Sequence, residues 1–391
     1  MTGNRKLLHS GALGSLLVVS VLLLSACSGE YPQTTFQPVT EFGELINGLF
    51  YNTTAWTMAI LLIVEAVLIY ILIRFRARPD APEPKHIHGN TLVEIVWTVI
   101  PAIIVAVIAI PAVGAIFELQ RPQDEGAFVV DVIGHQWWWE FRYPELEGVV
   151  TANEMHVPVG RMVYLNMRSA DVIHSFWIPR IGGKRDVNPV PATREAEPER
   201  LNHLQFRVNQ AGAYDGQCAE YCGDSHAIMR MRVIAHEPGD FQRWVQAYRT
   251  LAPAPTDSLA AHGMQVFMRS PCIACHSISG TSAIGRIGPN LTFMGDRWSV
   301  GAGAEENSVD ALARWIISPP AMKPGARMPG TRTEGGGMPP TGLSEQDVRA
   351  IAAYLFSLRA DAVPAAAPLP PGDTTDAPAG TGISMQTHDA D

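Results

Sequence analysis

The order of apolar and polar positions divides the chain into distinct textures before any chemistry is considered. Arg5 and Lys6 precede the apolar run "LGSLLVVSVLLL", which ends in "LSAC" at Cys27. A basic start, an apolar centre and small residues before a cut form the layout of an export signal. The expectation is a removed segment at 1–26 and a short outer segment at 27–54; the alternative is a first membrane span with an incidental cysteine. Two longer runs follow, "AWTMAILLIVEAVLIYILI" (55–73) and "LVEIVWTVIPAIIVAVIAIPAVGAIF" (92–117). Each is long enough to cross a hydrocarbon layer of roughly 30 Å as a helix, so residues 55–117 are predicted to form a transmembrane hairpin.

From about Asp124 to Glu237 the pattern shortens into runs such as "AFVVDVIG", "RMVYLNMRS", "DVIHSFWIP" and "LQFRVNQAG", separated by glycine and proline. These read as strands and turns, and a small antiparallel sandwich of about 100 residues is the economical arrangement for a domain spanning 118–240. "FQRWVQAYRTLAPAPTDS" predicts a short helix and an alanine and proline linker over 241–256. Residues 257–360 return to a helical period, notably in "SVDALARWIIS" and "SEQDVRAIAAYLFSL". They form a second soluble domain. The tail, 361–391, has too few large apolar residues to pack and is expected to be disordered.

Charge settles the topology. The connector "RFRARPDAPEPKHIHG" holds Arg74, Arg76, Arg78 and Lys85 against Asp80 and Glu83, which places it in the cytoplasm. Both ends of the hairpin then face outward, and everything after Glu118 lies on the outer face, in agreement with an export signal. The net charge of -9, with no basic block outside the connector, argues against nucleic acid as a partner. The "LSAC" stretch resembles the lipobox of bacterial lipoproteins, which implies a lipid on Cys27 that adds a second hold on the membrane.

The densest chemistry lies in "CAEYCGDSHAIM", where Cys218, Cys222, His226 and Met229 share one loop. Thiolate, imidazole and thioether together select copper over hard cations. An oxidising compartment keeps a Cys218–Cys222 disulfide open as the competing reading. A disulfide needs neither His226 nor Met229. His174, at the end of the predicted strand "DVIHSFWIP", can supply a second imidazole. Two thiolates, two imidazoles, a thioether and a backbone carbonyl exceed what one copper requires and suit two.

"DVIHSFWIP" followed by "GQCAEYCGDSHAIM", with the hairpin and "GHQWWWEFRYP" ahead of them, resembles cytochrome c oxidase subunit II over roughly residues 40–236. The resemblance implies a cupredoxin-like Greek-key β-sandwich holding the dinuclear copper A centre. His174 and His226 would each cap one copper, Cys218 and Cys222 would bridge both, Met229 would bind weakly, and Glu220 would offer its backbone oxygen. The Glu220 side chain would reach a magnesium ion at the boundary with subunit I. Trp137 would stand where electrons enter, with Trp138 and Trp139 structural, although aromatic runs on strands commonly only fill a core or brace a neighbour. Glu94 would mark the mouth of a proton path into subunit I. Glu65, deeper in the first span, is expected to pair with a neighbouring subunit, since intramembrane carboxylates are costly. "KRDVNPVPATREAEPE" departs from the family pattern, and Arg194 within it receives no site role.

"CIACH" places Cys272 and Cys275 for thioether bonds to a haem and His276 as an axial ligand. A pentapeptide can match by chance, but "GPNL" and the terminal helix "VRAIAAYLFSL" follow in the order of small cytochromes c. Pro289 would accept from the other ring nitrogen of His276. For the sixth ligand, "KPGARMP" nominates Met328 and "GGGMPP" nominates Met338. Resemblance to cytochrome modules fused to subunit II favours Met328, while the extra segment "GTRTEGGG" keeps Met338 in contention. Met294 and Met322 read as core or loop residues.

The whole is then a membrane-anchored multidomain chain: a two-helix transmembrane hairpin, a cupredoxin-like sandwich and an all-α class I cytochrome c domain. By resemblance it is subunit II of a caa3-type oxidase in a bacterial inner membrane. An external cytochrome c or another respiratory donor would feed haem c, then copper A, then subunit I with its haem a and copper B, beside subunit III. Fusion raises the donor's effective concentration. Three other readings compete. Nitrous-oxide reductase would need a histidine-rich catalytic domain, and quinol-oxidase relatives lack copper ligands. A membrane-anchored copper carrier with a regulatory haem explains the ligands but not Glu94 or the tryptophan run.

Overall fold

The computed structural model describes residues 31–76, 88–191, 193, 197, 200–250 and 254–360. The segment expected to be an export signal, with Cys27, most of the basic connector, Arg194 and the tail at 361–391 lie outside the described residues.

Helix α1 spans Glu41–Arg74 and helix α2 spans Thr91–Leu119, and each contains an apolar stretch long enough to cross a membrane. The first helix starts well before the apolar run at Ala55, because Thr40 caps it by accepting from Gly43 N at 2.9 Å. The same hydroxyl donates to the carbonyl of Ile181, which ties the helix start to the sandwich above. Phe42 and Gly43 are buried there, whereas the apolar length beyond is almost entirely exposed. Asn90 caps α2, and Pro101 and Pro111 sit inside it. Apolar surface of this extent on two helices long enough to span is what lipid and neighbouring helices cover.

The sandwich contains β1 Phe128–His135, β2 Trp138–Arg142, β3 Val150–Ala152, β4 Glu154–Pro158, β5 Met162–Ser169, β6 His174–Trp177, β7 Arg185–Val187, β8 Asn202–Arg207, β9 Gly212–Cys218 and β10 Arg230–His236. One sheet runs β3-β2-β1-β5-β8 and the other β4-β10-β9-β6-β7. Val130, Val132, Phe141, Met155, Leu165 and Val233 fill the space between them. The sandwich is mixed rather than wholly antiparallel: β1 pairs with β5, and β4 with β10, in parallel register. The chain leaves the first sheet after β3, contributes β4 to the second, and returns as β5. Alternation of apolar residues marks a strand's faces but carries no information about the direction of its partner.

Helix α3, Pro238–Arg249, packs on the sandwich through Phe241, Trp244 and Tyr248. The last domain contains α4 Ser258–Arg269, α5 Cys272–Cys275, α6 Val309–Ile317, α7 Pro319–Met322 and α8 Glu345–Ser357. Asp257, Ser308 and Ser344 cap α4, α6 and α8 by accepting from backbone N–H groups. The terminal helix crosses α4 so closely that a Cβ on Gly263 would lie 1.8 Å from the Ala350 carbonyl oxygen. Phe267, Leu291, Met294, Leu312, Ile351 and Leu355 form the core around that crossing.

Candidate metal and haem centres

The loop 219–229 is pinned at both ends. β9 and β10 pair with Gln217 opposite Arg230, and Cys218 N donates to the Met229 carbonyl at 2.9 Å. β6 runs beside β9 with Phe176 opposite Cys218, which carries His174 to the same end of the sheet. Gly134 of β1 leaves room for the ring, since a Cβ there would lie 2.7 Å from His174 Cδ2. The ligand atoms then form a chain: His174 Nδ1 is 3.9 Å from Cys218 Sγ, which is 3.8 Å from Cys222 Sγ. Cys222 Sγ is 3.6 Å from His226 Nδ1 and 3.8 Å from Met229 Sδ. The Cys218 thiol also meets the Glu220 carbonyl at 3.2 Å.

Both thiols are free and buried. Their separation is far beyond a covalent S–S bond of about 2.0 Å, so the disulfide reading does not describe this arrangement. Sulfur and nitrogen atoms sharing a metal at about 2.0–2.3 Å stand roughly 3.5–4 Å apart, and this set fits soft-metal coordination. His174 Nε2 donates to Asp171 Oδ1 at 2.9 Å, which leaves Nδ1 as the nitrogen facing the sulfurs. Burial opposes charge on His174, but the Asp171 and Cys218 contacts hold its pKa above the ordinary value. Cys218 ionises first of the two thiols: hydrogen bonding from Cys222 pulls it well down against the cost of burial.

The three tryptophans part company. Trp137, at the β1–β2 turn, donates from Nε1 to the Cys222 carbonyl at 3.0 Å, and Gln136 Nε2 donates to the same oxygen at 2.8 Å. Trp138 stacks on His135 with centroids 4.2 Å apart. Trp139 is wholly buried against His174 and Phe176. Glu220 is exposed, its Oε1 accepting from Tyr221 N, and the neighbouring Tyr221 is 75% exposed. Glu94 lies in the first turn of α2, at the connector end, and Glu65 lies mid-helix in α1; both are exposed.

In the helical domain Cys272 and Cys275 are free and half-buried at the two ends of α5, with His276 just beyond. His276 Nδ1 donates to the Pro289 carbonyl at 2.7 Å, and burial pushes its pKa down, so Nε2 keeps a lone pair. Gly288 lies flat against the ring, where a Cβ would be 2.8 Å from Cε1. Two free thiols three residues apart, with a fixed imidazole directly after the second, fit covalent haem attachment. Met328 packs on the core together with Cys272 and Ile273. Met338 instead pairs with Gly335 in a small hairpin turned by Gly336 (φ 56°) and Gly337 (φ 79°). That hairpin accommodates the extra "GTRTEGGG". Met294 is core, and Met322 ends α7 half-buried.

One residue escaped sequence reasoning. Lys323 is 3% exposed, and its Nζ donates to the carbonyls of Trp137 (2.5 Å), Ile228 (2.9 Å) and Gly301 (2.7 Å). Burial pushes its pKa down to about 7, with Cys222 pulling the other way. Around it, Ser225 Oγ donates to the Pro324 carbonyl at 2.6 Å and Arg230 N to the Ala302 carbonyl at 3.0 Å. Trp298 N donates to Glu154 Oε1 at 2.8 Å, and the Arg232 guanidinium lies 4.5 Å over the Trp298 ring. No sequence rule marks a lysine for burial, and in the sequence the "KPG" stretch points only to Met328.

A membrane-anchored sandwich with a soft-ligand cluster, joined to a helical domain with a haem-attachment motif, defines a class: an electron-transfer protein outside the membrane that holds it. The comparisons are specific. The family model for the cytochrome c oxidase subunit II transmembrane domain matches residues 33–114, that for its periplasmic domain residues 145–236, and that for cytochrome c residues 260–359. Cytochrome c oxidase subunit 2 of Alkalihalophilus pseudofirmus is 35% identical over 344 residues, covering 86% of this chain and 94% of the relative. The protein of the same name from Bacillus subtilis is 33% identical over 363 residues, covering 88% and 97%. The chain belongs to the cytochrome c oxidase subunit II family and carries a fused cytochrome c domain, the caa3-type arrangement. It is a subunit of a haem–copper oxidase that works beside subunit I and an electron donor, with its soluble domains outside the membrane. A free-standing copper carrier is not favoured. Its two soluble domains are of the kinds that hold copper A and haem c.

Proposed function

We propose that the His174–Cys218–Cys222–His226 chain of ligand atoms, with Met229 and the Glu220 carbonyl, holds the two coppers of copper A. Cys272 and Cys275 would hold haem c through thioethers, and His276 and Met328 would supply its iron ligands. Bound in these sites, haem c and copper A each take up and release one electron, while oxygen reduction and proton pumping reside in subunit I. The chain's own residues hold the groups and limit what moves. Asp171 fixes the His174 ring, Pro289 fixes His276, and Trp137 connects the Cys222 carbonyl to the donor side. Trp137 is where electrons enter the copper domain, Glu94 stands at the mouth of a proton path, and the exposed Glu220 side chain reaches magnesium shared with subunit I. Subunit III and membrane lipid complete the surroundings in a bacterial inner membrane, with residues 1–26 a removed signal and Cys27 lipid-bearing.

The observation that carries this reading is the pair of free sulfurs 3.8 Å apart with a histidine Nδ1 beside each. Copper content and electron paramagnetic resonance test it, comparing the native chain with Cys218→Ser. Two coppers sharing one spin, lost in the variant, are expected. One localised copper, or none with a Cys218–Cys222 disulfide, overturns it.

A further inference from the structure

Besides the Arg230–Ala302 and Trp298–Glu154 bonds, one turn of the cytochrome domain, Lys323–Gly325, reaches both the tryptophan turn and the ligand loop of the copper domain. Lys323 spends all three of its N–H donors on carbonyls from three separate segments: the tryptophan turn, the ligand loop next to Met229, and its own domain at Gly301. An ammonium is costly to bury unless every donor is satisfied, so this is a seat and not a grazing contact. Pro324 takes the Ser225 hydroxyl. Gly325, at φ +77°, lies on the Trp137 ring, where a Cβ would be 2.4 Å from Cη2. Trp137 is left 7% exposed, bonded to the Cys222 carbonyl on one side and covered by the cytochrome domain on the other.

We propose that Lys323 is a positioning residue that locks the Met328 loop onto Trp137, so that the cytochrome domain is a seated donor and does not swing on its linker. The proposal rests on the reading of Trp137 as the point where electrons enter. Each transfer would move a single electron from the haem held by Cys272, Cys275 and His276, which is oxidised, to the copper held by Cys218 and Cys222, which is reduced. No bond or proton changes place.

Three measurements on the loaded full-length chain test it. Electron arrival at copper after photochemical reduction of the haem should be independent of solvent viscosity. A rate falling in inverse proportion to viscosity means a swinging domain and overturns the proposal. In Lys323→Met, hydrogen exchange at the Arg230 and Trp298 amides, both bonded across the seam, should quicken at least tenfold while the Val132 amide stays unchanged. Unaltered exchange at the seam overturns it. Gly325→Ala, which pushes the turn off Trp137 without touching the lysine, should give the same exchange signature and serves if the first variant does not fold. Trp137→Phe separates the two readings: slowed transfer with unchanged seam exchange upholds Trp137. If Trp137→Phe has no effect while Lys323→Met opens the seam, the reading of Trp137 fails and the seat remains.

Discussion

The indole N–H of Trp137 donates to the carbonyl of Cys222 at 3.0 Å, joining the aromatic turn to the loop that carries both buried thiols. Gln136 shares that oxygen. Trp137→Phe keeps an aromatic ring but removes one of two donors, so the cluster should still form while electron transfer into it slows by about tenfold or more. Flash-triggered transfer rates, read beside an unchanged copper resonance, check this.

Asp171 acts through His174. Its Oδ1 accepts from His174 Nε2 while Oδ2 accepts from Gln136 N, so one carboxylate sets both the imidazole and the aromatic turn. Asp171→Asn keeps the shape and loses the charge. Removing such a partner of a metal-facing histidine commonly lowers metal affinity by about 10–100-fold. Competition with a copper chelator should show a loss in that range, with the fold retained by circular dichroism.

The difference between what was legible in the chain and what was not has physical causes. The cluster was legible because its ligands have rare chemistry at close spacing, and the helices because apolar residues recur at their period. Direction of pairing was not: nothing in "AFVVDVIG" says that β1 runs parallel to β5. Gly134 gave no signal either, since its role is to leave space for a ring forty residues away. Lys323 was hidden most deeply. Its composition argues for exposure, and only the three-dimensional convergence of carbonyls makes its burial affordable.

The helix crossing in the cytochrome domain should be sensitive to one methyl group. A Cβ on Gly263 would fall 1.8 Å from the Ala350 carbonyl oxygen and 2.9 Å from Ile351 N, both backbone atoms in a packed core. Backbone cannot rotate aside as a flexible side chain does. Gly263→Ala should therefore cost about 1–3 kcal/mol or more, despite alanine's better helix propensity. Denaturant unfolding followed at the haem absorbance checks this.

Acid should loosen the copper domain through a histidine pair. His156 Nδ1 and His236 Nε2 are 2.8 Å apart beneath Trp244, whose ring stacks on His156 at 4.3 Å. Burial lowers His236 to about 4; burial, then the charges of His236 and Arg297, lower His156 well below its ordinary value. Both are neutral in the native state near pH 7. As pH falls below about 6.5 the unfolded chain takes up protons that the native chain refuses, so stability falls between about pH 6.5 and 4. For His236 alone the loss is on the order of 3 kcal/mol. Urea midpoints across this range should drop with acid, and His236→Gln should flatten the drop.

Met328 and Met338 make the sharpest contrast in the haem domain. Met328 packs on the core beside Cys272 and Ile273, held by the turn that Lys323 anchors. Met338 belongs to a hairpin whose register is closed by its own bonds, Gly335 N to Met338 O at 3.2 Å and Met338 N to Gly335 O at 2.9 Å. Delivering Met338 to iron would require breaking that pair and displacing the Met328 loop, whose backbone already lies within 2.5 Å of where a Cβ on Gly335 would stand. Met328→Leu conserves volume and removes the thioether, so it should abolish the methionine-to-iron absorption and lower the haem potential. Met338→Leu should leave both unchanged. A loss of the band in Met338→Leu with Met328→Leu unaffected would reverse the assignment and require the hairpin to open when haem is attached.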